Sequence, residues 1–159
     1  MNTQLDTTTP THSSAAPGYP MAFEVTTLPV ADVDRAKAFY LSLGWRLDID
    51  FEPAPGTRGV QITPPGSPAS IQFGSGPRAA ASAPLTALLL IVDDIEAARE
   101  DLIARGVDVG EIFHTVPGEG IVPGIDPERR SYFSRAVFAD PDGNQWQLQE
   151  ITKRLPGRV

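Results

Sequence analysis

The chain predicts an α+β fold in which two βαβββ modules curve their strands around a cleft. Three observations lead there. A shift of 62 residues lays "VADVDRAKAFYLSLGWRL", Val30 to Leu47, over "VDDIEAAREDLIARGVDV", Val92 to Val109, and self-similarity at a fixed period marks a repeated structural unit. Within each copy an aspartate, an apolar stripe at helical spacing and a glycine follow one another, which is a capped helix with its stop signal. The flanking segments alternate polar and apolar residues with period two, the pattern of strands that bury one face.

In the first copy, Phe23 to Val30 reads as a strand leading to Asp32, which is placed to cap a helix over Val33 to Leu43. Ala36 and Tyr40 lie on its inner stripe, and Gly44 ends it. Trp45 to Phe51, Gly59 to Thr63 and Ser70 to Gly74 read as three further strands, with Pro64, Pro65 and Gly66 turning the chain between the last two. The second copy repeats the plan. Thr86 to Val92 is a strand, Ile95 to Arg105 a helix between Asp94 and Gly106, and Val107 to Thr115 one or two short strand pieces. Tyr132 to Ala139 and Asn144 to Ile151 complete the module, joined by the tight turn Asp140-Pro141-Asp142-Gly143. A module of this kind covers one sheet face with its helix and leaves the other bare, so two of them come together around a shared cleft. The expected organisation is a tail over residues 1–20, modules over 21–78 and 84–153 within a domain spanning 21–153, and a short tail over 154–159.

With 159 residues, 41% of them hydrophobic, the chain is long enough for one globular domain with a sizeable core. Its formal charge of −7 argues against nucleic acid and anionic membrane surfaces as partners, and suits a neutral or cationic small molecule better. The absence of cysteine excludes disulfides, a thiolate nucleophile and thiolate-bound zinc. The longest apolar run, Ala87 to Val92, is far too short to span a bilayer. Residues 1–20 are rich in Thr, Ser, Pro and Ala, with Asp6 as their only charge. They lack the layout of a signal peptide and read as the disordered tail of a cytoplasmic protein.

Taken in order, "LPVADVDRAKAFYLSLGW", "VDDIEAAREDLIARG" and "FADPDGNQWQLQEI" resemble the vicinal oxygen chelate superfamily, over roughly residues 21 to 153. That superfamily groups glyoxalase I, extradiol dioxygenases, fosfomycin-modifying enzymes and bleomycin resistance proteins, many chemistries on one scaffold. The resemblance implies a divalent metal held on the bare sheet face by one side chain from the first strand and one from the last strand of each module. Those positions are Val25 and Gln72 in the first module and Ala87 and Gln147 in the second. A register slipped by two brings Phe23 or Thr27, and Leu85 or Leu89, to the first-strand positions and still supplies no chelating set. Divalent cations need carboxylates or imidazoles, so neither a metal nor another cofactor is expected.

The bare face then reads as a pocket wall. Gln72, Gln145, Gln147 and Gln149 supply its polar groups, and Val25, Thr27, Ala87 and Leu89 its apolar lining, the composition of a small-molecule site. For Gln145 and Gln149, simple solvation is an equal alternative. Glu24 and Glu150 face away by alternation. His114, the single histidine outside the N-terminal tail, is the candidate general acid or base, against the alternative of an ordinary partly exposed residue.

Gln72 and Gln147 are 75 apart where the helices repeat at 62, so the second copy holds 13 extra residues, and Pro117 to Ser134 accommodates them. A stretch of this length in a compact domain is functional or disordered. It is expected to fold over the cavity mouth with Arg129, Arg130 and Tyr132 toward a ligand carbonyl or carboxylate. The alternative is that Asp126, Glu128, Arg129 and Arg130 pair with each other or with a second subunit. Phe39, Tyr40 and Trp146 read as core, and Trp45 as core or interface.

Two functions fit these residues. The first is a metal-independent isomerase or lyase in which Gln72 and Gln147 polarise a carbonyl and His114 moves a proton. The alternative is a binding protein that sequesters a small organic molecule, like the bleomycin resistance branch; a metal-dependent glyoxalase or dioxygenase ranks third. The resemblance further implies a homodimer, with the cavity built within one chain or across two.

Overall fold

The computed structural model describes residues 16–80 and 83–158; of the expected N-terminal tail, residues 1–15 lie outside them. The first module runs β1 (Val25–Thr27), α1 (Val33–Ser42), β2 (Arg46–Ala54), β3 (Thr57–Thr63) and β4 (Ser70–Gly74), followed by one 3-10 turn at Gly76–Arg78. The second runs β5 (Leu88–Val92), α2 (Ile95–Ala104), β6 (Phe113–Val116), β7 (Gly120–Pro123), β8 (Ser134–Ala139) and β9 (Gln145–Glu150). The strands form two sheets, ordered β1-β4-β3-β2 and β5-β9-β8-β6-β7. In each sheet the first strand lies parallel to the last and the remaining pairs are antiparallel. This is the duplicated βαβββ plan of an α+β fold, with its repeat-related caps in place. The Asp32 and Asp94 carboxylates accept the backbone N–H of Arg35 and Ala97, each at 3.0 Å, and Gly44 and Gly106 end the helices at φ 80° and 88°.

One strand departs from the sequence reading. β7 pairs with β6 as a hairpin, Thr115 opposite Ile121, inside the stretch expected to be an irregular loop. Only Ile121 and Val122 separate Gly120 from Pro123, too short a run for alternation to register. The free edge of β6 supplies the partner that makes the strand.

Each sheet turns its helix-covered face to one shared core and leaves the other face open. Val60, Ile62, Ile71 and Phe73 from the first module, and Ala136, Phe138, Trp146 and Leu148 from the second, belong to the same buried cluster. Tyr40 and Trp45 join it: Tyr40 is fully buried, and Trp45 meets Tyr40 at 5.1 Å and Trp146 at 5.3 Å between ring centroids, the latter edge to face. The Tyr40 hydroxyl donates to Asp140 Oδ2 at 2.7 Å and accepts from Trp146 Nε1 at 3.0 Å. Burial, reinforced by the Asp140 carboxylate, holds the Tyr40 phenol neutral, its pKa far above the ordinary tyrosine value.

The Asp140–Gly143 turn does more than reverse the chain. Asp142 Oδ1 accepts from the Ala31 backbone N–H at 2.8 Å and from Arg35 at 2.9 Å, while Asn144 Nδ2 donates to the Pro29 carbonyl at 3.0 Å. The turn of the second module is therefore bolted onto the β1–α1 connection of the first. None of the described helices is long and apolar enough to cross a membrane.

Candidate functional site

The open face of the first sheet is built from two rows of side chains. Register places Thr27, Gln72, Gln61 and Ile49 side by side across β1, β4, β3 and β2. The next row is Gly74, Gly59 and Phe51. After β4 the chain passes through the 3-10 turn, and Pro77 to Ala80, most of them exposed, border a half-open cavity of about 570 Å³ on this face. Its lining has the size and make-up of a site for a small organic molecule, hydrocarbon with a few amides and hydroxyls. Gln72 Nε2 donates to Thr27 Oγ1 at 2.7 Å, which fixes the amide plane at the wall. The polar side chains that line the cavity are those of Thr27, Gln61, Gln72 and Arg78, and no carboxylate joins them.

The open face of the second sheet repeats the pattern without such a border. Leu89, Gln147 and Val137 form one row, and Ile91, Gln149, Arg135 and Phe113 the next. Gln145 is exposed, Gln147 half-buried, and Gln149 is buried with its Nε2 donating to the Tyr132 carbonyl at 2.8 Å. Val25 begins β1 beside Ser70 on the first open face. Ala87 takes a left-handed φ of 60° just before β5, which removes it from the strand alternation expected of Thr86 to Val92. With Leu89 and Trp146 it lines a separate crevice of about 290 Å³ between the modules, whose first-module side includes Thr26 and Ser70.

His114 and Arg130 stand away from both open faces, whereas Tyr132 meets the second one through its backbone carbonyl, which accepts from Gln149. His114 pairs with Ser134 across β6 and β8, on the side of Ala136 and Phe138, and is 6% exposed; its Nδ1 donates to the Gly124 carbonyl at 2.6 Å. Register thus corrects the expectation that it borders the cleft, because a one-residue offset on a strand exchanges the two sheet faces. Arg130 grips the buried Asp126 with two side-chain N–H groups, at 2.9 and 2.7 Å, and stacks on Phe133. The Tyr132 hydroxyl accepts from the Leu155 backbone N–H at 2.9 Å.

The reason the 124–133 segment lies on the helix side is electrostatic. Glu150, 1% exposed, accepts two bonds from Arg129, at 3.0 and 2.7 Å, and one from the Ile95 N–H at the start of α2, and Arg129 also reaches Glu96 at 3.0 Å. Buried carboxylates require such partners, and meeting that requirement ties the segment to α2.

The positions that the resemblance assigns to a divalent ion hold Val25, Gln72, Ala87 and Gln147, and the slipped register offers Thr27 and Leu89, which lie beside Gln72 and Gln147. Two hydrocarbons and two neutral amides, one of them already bonded to Thr27, do not fit such an ion. Among the described residues no group of three His, Asp or Glu side chains gathers anywhere to replace them.

Sequence reasoning passed over Gln61, Ile49, Phe51 and Arg78. Gln61 carried a readable signal, since it alternates with Val60 and Ile62 as Gln72 does with Ile71 and Phe73. Arg78 carried none, because only the return of the chain after β4 brings it to the sheet.

A model of the glyoxalase/bleomycin resistance protein/dioxygenase superfamily matches residues 22–148. The chain is similar to TnmS3, an antibiotic binding protein from Streptomyces sp. CB03234, with 29% identity, a TM-score of 0.62, and 86% of this chain and 100% of that one covered. It is also similar to a glyoxalase/bleomycin resistance protein from the same organism, with 30% identity, a TM-score of 0.58 and coverage of 81% and 100%. The bleomycin resistance determinant encoded on the transposon Tn5 shares the fold at 17% identity and a TM-score of 0.55, over 84% of this chain and 100% of that one. No curated protein matches.

Proposed function

Because the chain belongs to the glyoxalase/bleomycin resistance protein/dioxygenase superfamily, a scaffold that serves enzymes and binding proteins alike, we propose that it binds a small organic molecule on the open face of its first sheet and sequesters it unchanged. The observation that carries this reading is the lining of the 570 Å³ cavity, where hydrocarbon, Thr27 and two glutamines meet a single arginine. Amides and hydroxyls orient a ligand; proton transfer near neutral pH needs a group that titrates there. His114, the residue for that step in an isomerase or lyase, lies under the other sheet. The likeness to an antibiotic binding protein supports binding over turnover.

A second copy of the chain is the proposed opposite wall. Leu89, Ile91 and Ile121 stand on the bare face of the second sheet with 51%, 38% and 71% exposure, and apolar side chains left this open gain from cover. Equilibrium dialysis against a panel of small organic compounds, followed by recovery of the bound compound, tests the proposal. A sequestering protein retains a compound at a fixed stoichiometry and returns it chemically intact. Steady conversion to an isomer or fragment establishes an enzyme instead.

A further inference from the structure

The net charge of −7 points to a neutral or cationic ligand, but the charge at the cavity has the opposite sign. Among the described residues no carboxylate lines it; Asp48 touches the lining residue Gln61 from outside but is neutralised by Arg46, and Arg78 is the charged side chain of the lining. Arg46, Arg58, Arg129 and Arg130 are each paired with a carboxylate; among the described residues Arg78 is not.

Its position is also built. Gly59 and Gly74 face each other across β3 and β4. A Cβ on Gly59 would sit 2.9 Å from Arg78 Cδ and 3.2 Å from Phe51 Cε1, and one on Gly74 would sit 3.0 Å from Arg78 Cβ and 2.1 Å from the Arg58 carbonyl oxygen. Gly59 leaves room on the sheet that the arginine stem fills, while Gly74 is kept bare first by the Arg58 backbone carbonyl and then by the same stem. The guanidinium then lies over the Phe51 ring, 4.5 Å from its centroid. Stacking fixes the plane of the fork and leaves its N–H edge without a protein anion, the geometry in which arginine grips a carboxylate with two parallel bonds.

We propose that the cavity is selective for an anionic ligand, a carboxylate carried on an apolar organic framework, and that Arg78 is the residue that reads the anion. This rests on the small-molecule reading of the cavity above and names its ligand class. Gln61 and Gln72 meet the neutral polar groups of the framework, and Phe51 and Ile49 its apolar surface.

The test compares 2-naphthoate with its neutral isostere 2-naphthamide by isothermal titration calorimetry on the full chain, on Arg78→Gln and on Arg78→Lys. The native chain binds the carboxylate about tenfold tighter than the amide, since charge-assisted bonds are about twice as strong as neutral ones. Arg78→Gln brings the two affinities within about twofold of each other, whatever common change the altered wall imposes on both. Arg78→Lys keeps the sign of the preference and loses part of its size. Equal affinities in the native chain, or a preference that survives Arg78→Gln, overturn the Arg78 assignment alone. Absence of saturable binding for both compounds overturns the cavity reading beneath it. Unchanged melting temperatures establish that the variants report binding rather than folding.

Discussion

At Gln72 one amide serves the fold and the wall together: its Nε2 is committed to Thr27, while its Oε1 has no protein donor among the described residues. Gln72→Leu therefore weakens ligand binding by about three- to tenfold, the worth of one neutral hydrogen bond, with a small fall in melting temperature from the lost bond to Thr27. Calorimetry and thermal denaturation check the two halves of that expectation. His114 gives the opposite pattern. Its Nδ1–H serves the Gly124 carbonyl inside the protein, so His114→Ala lowers stability by about 1–3 kcal/mol in urea denaturation and leaves ligand affinity unchanged. Both residues sit on strands legible in the sequence. The face of Gln72 followed from alternation within SIQFG, whereas the face of His114 depended on where β6 begins, and four residues between irregular segments do not define that phase.

Among the elements, the 124–133 segment shows most clearly where composition misleads. It belongs to the Gly- and Pro-rich stretch Pro117 to Ser134 that reads as a lid, yet Arg129 ties it to Glu150 and to Glu96 of α2, while Asp126 and Arg130 brace it from within. The Arg130 guanidinium on Asp126, aided by the Arg130 backbone N–H, outweighs burial and lowers the carboxyl from 3.8 to about 2. A depressed carboxyl stabilises the fold fully above its unfolded value and loses that contribution as pH falls through its folded one. Stability accordingly declines from about pH 4 toward pH 2. Asp126→Asn flattens that acid limb and lowers stability at neutral pH, as urea midpoints measured across this range report. The helices were fully legible, since Asp32, Asp94, Gly44 and Gly106 act through local geometry. The pairing of a charged segment with a helix 30 or more residues away in sequence (Arg129 with Glu96) leaves no local pattern to read.

For the molecule as a whole, the duplication visible at a 62-residue shift dictated the architecture, but it did not reveal how the modules are joined. The bolt consists of Tyr40, Asp140, Asp142 and Asn144, and the sequence showed Asp140 and Asp142 only as a turn and Asn144 as the start of a strand. Tyr40→Phe removes the hydroxyl that links Asp140 to Trp146 and lowers stability by about 1–3 kcal/mol, with both modules still melting in one transition because they share a core. Differential scanning calorimetry reads the midpoint and the number of transitions. The same union fixes where ligand can go. The helix-covered faces are spent on each other, which leaves the amide-bearing open faces for binding, and the return of the chain at Pro77 to Ala80 borders the first of them.

The most direct measurement is the side-chain amide region of a ¹⁵N-labelled NMR spectrum during titration with a small organic compound that the protein retains in dialysis. The account predicts that Gln61 and Gln72 shift together and saturably while the compound's own resonances show no new chemical species. Shifts centred instead on residues of the inter-module crevice around Ala87 and Trp146, or conversion of the compound during the titration, would contradict it.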